Sequence, residues 1–277
     1  MGLRINTNVA SINAQRNLRS TNLDMRKAME RLSSGSRINR AGDDAAGLAI
    51  SENLRAQIRG YNMASRNADD GISLVQVAEG AMNETSSILA RLRELGIQAA
   101  SDTVGPNERR FLDVEYQNLL QEIERISKAT EFNNQKLLDG SAPAMDVQIG
   151  IRNVPGVDRI VFDASKSNVS VEGLGLKGLM IGEKIPAQES LQSIDAAITK
   201  TAGIRADFGA LQNRLQSTIN NLGVSTENLA NAQSRVRDAD LAVETSELSR
   251  NNIMLNAGMA VLAQANQSNQ AVLKLLG

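Results

Sequence analysis

An unbroken apolar repeat constrains this chain more than any other feature. Between about Asp43 and Ala100, Leu54, Tyr61, Ala68, Val75, Met82 and Leu89 recur every seven residues. The row three positions on reads Gln57, Ala64, Gly71, Ala78, Thr85 and Leu92, and no proline interrupts either row. Large residues on one row and mostly small ones on the other form a heptad seam, the mark of a long helix packed along a partner. About 55 residues at 1.5 Å each give a helix roughly 80 Å long. A compact globule of this length has a radius of gyration near about 19 Å. Such a helix does not fit inside it, so the molecule is elongated or the helix is broken where the pattern does not show it.

The same theme recurs. Leu215, Leu222, Leu229, Val236 and Val243 are spaced by seven, and Leu248, Leu255, Leu262, Asn269 and Leu276 take over after a five-residue step that rotates the stripe. Leu18, Met25 and Leu32 mark an N-terminal helix from about Val9, with Met29 beside them. A further helix over 107–129 carries Leu112, Leu119 and Ile126, with Tyr116 and Ile123 alongside, and opens after the turn Gly105-Pro106. Between about Lys136 and Pro186 the pattern changes to glycine and β-branched residues. Met145–Ile149, Arg159–Phe162 and Asn168–Val171 read as short strands, with a turn at Asn153–Gly156. The predicted fold is mainly α: an elongated antiparallel helical bundle or coiled coil with a small β-hairpin insert, its termini paired together. The stripes on Leu18, Met25, Leu32, Leu248, Leu255, Leu262 and Leu276 are too much apolar surface for one partner helix. They are the predicted polymerisation interface, on terminal segments loosely ordered until buried in an oligomer.

Composition narrows the chemistry. The chain of 277 residues has no Cys, His or Trp, and aromatics are 2% against 42% hydrophobic residues. That removes disulfides, thiolate nucleophiles, Cys-based zinc sites and the usual general base. No cofactor or metal is expected. A net charge of −1 offers no basic face for nucleic acid. No run approaches the roughly 20 apolar residues of a membrane span, and no secretory signal is visible at Met1–Asn13.

Three kinds of motif point toward other functions. Gly173-Leu-Gly175-Leu-Lys-Gly178 matches a dinucleotide-phosphate loop and supports the alternative of a nucleotide-binding enzyme, yet Leu179–Pro186 is a poor helix start. Asp43-Asp44, Asp69-Asp70 and Asp238-Ala-Asp240 read as helix caps or helix surface rather than acid–base pairs. Asn83-Glu-Thr85 and Asn168-Val-Ser170 fit the N-glycosylation pattern, which is frequent by chance.

Several long motifs, in order, strongly resemble bacterial flagellin. They are Ile5-Asn-Thr-Asn-Val-Ala-Ser-Ile-Asn-Ala-Gln15, the run Leu32–Ile50, Arg91–Ala99, Glu131–Leu137, and Val261–Gln267 followed by Val272–Leu276. They cover roughly residues 1–140 and 185–277. The resemblance implies a structural subunit of the flagellar filament, not an enzyme, with a hook–filament junction protein as the alternative. It implies an inner coiled-coil domain over 1–43 and 235–277. The outer-tube rod domain would span 44–234, with helices 44–100, 107–129 and 187–234 and the β insert at about 138–180. At this length there is no room for outer variable domains, so the chain reads as a minimal flagellin. Family members are exported unfolded through the flagellar type III channel, which implies secretion to an extracellular flagellum; a sheathed or periplasmic filament also fits the sequence. Implied partners are other copies of the chain, an export chaperone, the filament cap and the junction proteins. A host Toll-like receptor is a further one, with Arg91, Leu95, Gln98 and Glu115 as its contacts by position. Arg91 and Leu95, four apart, would face outward together, while Gly96 stands where the family has a larger residue and would loosen that segment.

Limited proteolysis of the unassembled chain is expected to trim both ends and leave a resistant core near 44–234. Resistant ends in a verified monomer would contradict the loosely ordered termini.

Overall fold

A computed structural model describes the backbone of residues 7–274 and the side chains of residues 7–267. The order is α1 (Val9–Ser34), α2 (Ala45–Ala100), α3 (Pro106–Ala129), β1 (Glu131–Phe132), β2 (Gln135–Lys136), β3 (Met145–Gln148), β4 (Arg159–Phe162), a short 3-10 turn (Ala164–Ser167), α4 (Lys184–Arg237) and α5 (Leu241–Lys274). The chain is thus mainly helical, with two antiparallel hairpins, β1–β2 and β3–β4. Residues 1–56 and 228–277 form one compact unit and residues 57–227 a second.

In the first unit, α1 packs along α5. Asn8 caps α1 by accepting from the Ser11 backbone N–H at 3.0 Å, and its side-chain amide donates to the Ala265 carbonyl at 2.9 Å. Gly35 ends α1 at φ +68°, a left-handed position that glycine takes without a Cβ clash. The following loop clasps the α4–α5 junction. The Arg37 N–H donates to the Arg237 carbonyl, the Ala239 N–H to the Gly35 carbonyl, and Ser36 and Asp238 form a single antiparallel bridge. α2 then starts at Asp44, whose carboxylate accepts from the Gly47 N–H at 2.8 Å. Asp43 accepts from the Arg40 and Asn39 N–H groups, and these two bonds hold its carboxyl below the usual range. Asp240 caps α5 through the Ala242 and Val243 N–H groups. Of the acidic pairs, Asp44 and Asp240 cap helices, while Asp43 holds the loop before α2. The five-residue step in the apolar rows has a physical cause: the helix stops at Arg237 and restarts at Leu241. Val243, predicted to continue the row of Leu215 and Leu222, lies past the break and is exposed, whereas those two are buried.

The second unit holds the main core. Ala64, Ala68, Val75, Ala78, Met82, Leu89 and Leu92 of the predicted α2 rows are buried, as are Tyr116 and Ile123 of α3 and Ile194, Ile204 and Phe208 of α4. Small residues allow close approach where bulky ones would not. A Cβ on Gly71 would meet Leu215 and Val147 at 3.3 Å, so α4 and β3 both close on α2 there. Phe162 of β4 stacks on Phe208 with ring centroids 5.5 Å apart, a geometry that adds about 0.5–1.5 kcal/mol to area burial. Burial pushes the Tyr116 hydroxyl up to about 12, so this ring stays neutral across the physiological range.

Two local expectations change. Asn168–Val171 is no strand; the Asn168 side-chain oxygen accepts from the Ser170 N–H and hydroxyl, a local turn that competes with sheet pairing. β1–β2 was not read as a hairpin, although its two-residue turn Asn133-Asn134 has φ of 48° and 66°. Positive φ at both central residues suits the right-handed strand twist, and Asn accepts it better than most residues. Asn133→Val is expected to lower stability in urea unfolding by about 1–2 kcal/mol, and Asn133→Gly to leave it within about 0.5 kcal/mol. Equal effects of the two would contradict a turn held by positive φ.

Candidate assembly surface

Two helices can cover only one stripe of each other, so α1 and α5 each keep an outer face. The stripe they share is the predicted one. Leu18, Met25 and Leu32 of α1 and Leu248, Leu255 and Leu262 of α5 are all half-buried, with Ser11, Ala14, Ala28, Glu244 and Ala265 fully buried among them. Gly258 brings the helices close, since a Cβ there would lie 2.7 Å from Leu18 Cδ2. Arg31 reaches across to Glu244 at 3.0 Å, and Glu244 is only 5% exposed. Removing one partner of so buried a pair leaves an uncompensated charge, costly by about 3–5 kcal/mol in fully buried cases. Ser11 adds a hydroxyl bond to the Asn266 side chain at 3.1 Å. Leu276 lies outside the described residues.

The predicted stripe is thus largely used inside the chain. The apolar side chains facing solvent are different ones: Ile12, Leu23 and Met29 on α1, and Ile253, Met254 and Val261 on α5, between 44% and 68% exposed. The spacing that found the seam could not separate its two sides. The outer faces lack a clean heptad of their own, because Arg16, Arg19 and Arg26 interleave the apolar residues of α1. An open hollow of about 490 Å³ beside α1 offers no ligand chemistry of its own. Four of its charged side chains pair with one another, Arg40 on Glu30 at 3.0 Å and Lys27 against Asp43 at 4.0 Å. Among the described residues, no three His, Cys, Asp or Glu side chains gather to hold a metal.

Comparison with known proteins places the chain in a family. The model of the bacterial flagellin N-terminal helical region matches residues 5–142, and that of the C-terminal helical region matches residues 191–276. The chain belongs to the bacterial flagellin family. A flagellin of Halalkalibacterium halodurans is 48% identical over 98% of this chain and 99% of its own length. A flagellin of Bacillus subtilis is 45% identical over 99% and 100%. The flagellar filament 33 kDa core protein of Treponema phagedenis is 41% identical over 98% and 99%. Among solved structures, a Bacillus cereus flagellin crystal structure superposes with a TM-score of 0.50 at 30% identity, over 57% of this chain and 88% of that one. A putative flagellar hook-associated protein from Vibrio parahaemolyticus gives 0.59 at 14% identity, over 71% and 100%, a likeness of fold alone. The chain is a structural subunit that polymerises with its own copies into the flagellar filament, as flagellins do.

The nucleotide-binding alternative has no geometric basis. Gly173–Gly178 is a run of turns with Gly175 and Gly178 at positive φ and Leu174 and Leu176 buried in the core. No helix opens until Lys184, so the amide-lined helix start that binds a pyrophosphate is missing.

The four residues matched to receptor contacts divide. Arg91 and Gln98 are exposed and Glu115 is half-exposed. Arg91 donates twice to Glu115, at 2.9 and 2.8 Å, and once to Glu94 at 3.0 Å, and these bonds raise its already high pKa. Leu95 does not face outward as expected: it is 0% exposed and sits in the core. Leu92, Leu95 and Ala99 are spaced by three and four, which places Leu95 on the buried stripe and leaves Arg91 at its edge. Gly96 likewise does not loosen the segment. It is buried, and a Cβ there would lie 3.0 Å from Leu191 Cδ2, so the missing side chain lets α4 pack against α2. Leu95→Ala is expected to cost about 2–5 kcal/mol in chemical unfolding, and Arg91→Ala under about 1 kcal/mol because its ion pairs are exposed. A neutral Leu95→Ala would put that side chain back on the surface.

Proposed function

We propose that the α1–α5 pair is the inner part of the filament subunit and that its outer face is where neighbouring copies pack. The carrying observation is the solvent-facing set Ile12, Leu23, Ile253 and Val261 on helices whose inner stripe is already occupied. Burying an aliphatic side chain contributes about 1.5–3 kcal/mol, and each subunit of a helical polymer repeats that gain on every neighbour. On this reading residues 1–43 and 235–277 form the inner domain and 44–234 the outer-tube rod. The six described seam residues, Leu18, Met25, Leu32, Leu248, Leu255 and Leu262, then serve assembly by shaping the pair that docks.

The family further supports export of the unfolded chain through the flagellar channel and a place in a filament outside the cell body. It supports an export chaperone, a filament cap and hook–filament junction proteins as partners. A host Toll-like receptor would read the exposed Arg91 and Gln98 and the half-exposed Glu115, with Leu95 supporting that face from beneath. The junction-protein reading has no observation in its favour.

Assembly is tested by Ile253→Glu, which leaves the α1–α5 seam untouched. Helical content and unfolding midpoint are expected to match the parent, while the sedimentable polymer falls at least about tenfold, the factor for 1.4 kcal/mol lost at one contact. Normal polymer yield with a verified glutamate would overturn the outer-face assignment.

A further inference from the structure

With no Cys in the chain, the 9 methionines carry all of its sulfur. Their placement is uneven. Met82 is 0% exposed in the core of the second unit; Met29, Met254 and Met259 are 44%, 56% and 50% exposed on the α1–α5 pair, and Met63 and Met180, 49% and 62% exposed, belong to the second unit. Met254 directly precedes the seam residue Leu255, and Met259 directly follows the seam residue Gly258. One residue turns a helix by about 100°, so the two thioethers flank the seam on opposite sides. Met29 stands in the same relation to the buried Ala28 on α1. Three soft, accessible sulfurs therefore border the line along which the pair is closed and beside which a neighbouring copy would lie.

We propose that Met29, Met254 and Met259 are an oxidation site that controls assembly, each converted to its sulfoxide by hydrogen peroxide while the chain is unassembled. A sulfur lone pair attacks one peroxide oxygen, the S–O bond forms as the O–O bond breaks, and the proton shifts to the departing hydroxide, which leaves as water. The sulfur loses two electrons and the peroxide gains them. The product replaces a flexible apolar side chain by a polar, chiral one. A new S=O dipole at the border of an interface must be desolvated for a neighbour to pack, and an unpaired buried polar group costs enough to weaken each contact about tenfold. Methionine sulfoxide reductases reverse the change, so the site acts as a switch rather than as damage. Met82, sealed in the core, is the internal control. The proposal rests on the outer face of the pair being the assembly surface, and its test separates the two ideas.

The full chain is treated as monomer with hydrogen peroxide, quenched, mapped by peptide mass and then brought to polymerising conditions. Untreated chain must polymerise; its failure would count against the assembly reading and not against the oxidation site. Treated chain is expected to carry sulfoxide at Met29, Met254 and Met259, and at the exposed Met63 and Met180 of the second unit, but not at Met82, to keep its helical content, and to need about tenfold more protein to polymerise. Reductase treatment should restore the original threshold. The triple variant Met29→Leu, Met254→Leu, Met259→Leu keeps nearly the same apolar volume, and whatever threshold it shows before peroxide should be unchanged after it. An unchanged threshold with the three sulfoxides confirmed would overturn the proposal, as would a triple variant that loses assembly after peroxide as fully as the parent.

Discussion

The pairing of α1 with α5 joins the two ends of the chain, and the rest of the first unit is arranged around it. Each helix presents a half-buried stripe to the other, Leu18, Met25 and Leu32 against Leu248, Leu255 and Leu262. The stripe is fixed in register by Asn8 on Ala265 at one end and Arg31 on Glu244 nearer the other. Gly35 and Asp240 then stop and restart the helices at one level, where the loop after α1 bonds to the joint between α4 and α5. A two-helix pair has little interior. On the proposed assembly its apolar outer residues, exposed in the isolated chain, become a driving force in the polymer, which would link the geometry of one subunit to the function of its family.

The second unit solves a different problem: forming a core with almost no large rings. It does so with length and close approach. Gly71 and Gly96 let α4, β3 and α2 pack at short range, and the rows of α2 fill the space with Met82, Leu89, Leu92 and Leu95. Dispersion gains depend on such short distances, so small residues at contact points replace part of the area that aromatic side chains would bury.

Much of this was legible in the sequence, because heptad spacing reports directly which residues share a helix face. The rows through Ala64–Leu92 and Leu215–Leu222 are buried, and the strands at 145–148 and 159–162 are where alternation placed them. What spacing could not give was the angular position of a single residue near the edge of a stripe. Leu95 is four residues from the exposed Arg91 and yet inside, because it is also three residues from Leu92. Nor could spacing tell seam from outer face on α1 and α5, where both carry Leu, Ile and Met. The β1–β2 hairpin did carry a signal, the Asn133-Asn134 pair that tolerates positive φ; the strands around it are only two residues each, too short for alternation to register.

On the proposed assembly the α1–α5 pair survives into the polymer and is covered there by its neighbours. A helical reconstruction of the assembled filament at side-chain resolution decides this. Arg31 is expected still to meet Glu244 within each subunit, with Ile12, Leu23, Ile253 and Val261 buried against adjacent copies. Filaments in which α1 and α5 have separated, or in which those four side chains remain in solvent, would contradict it.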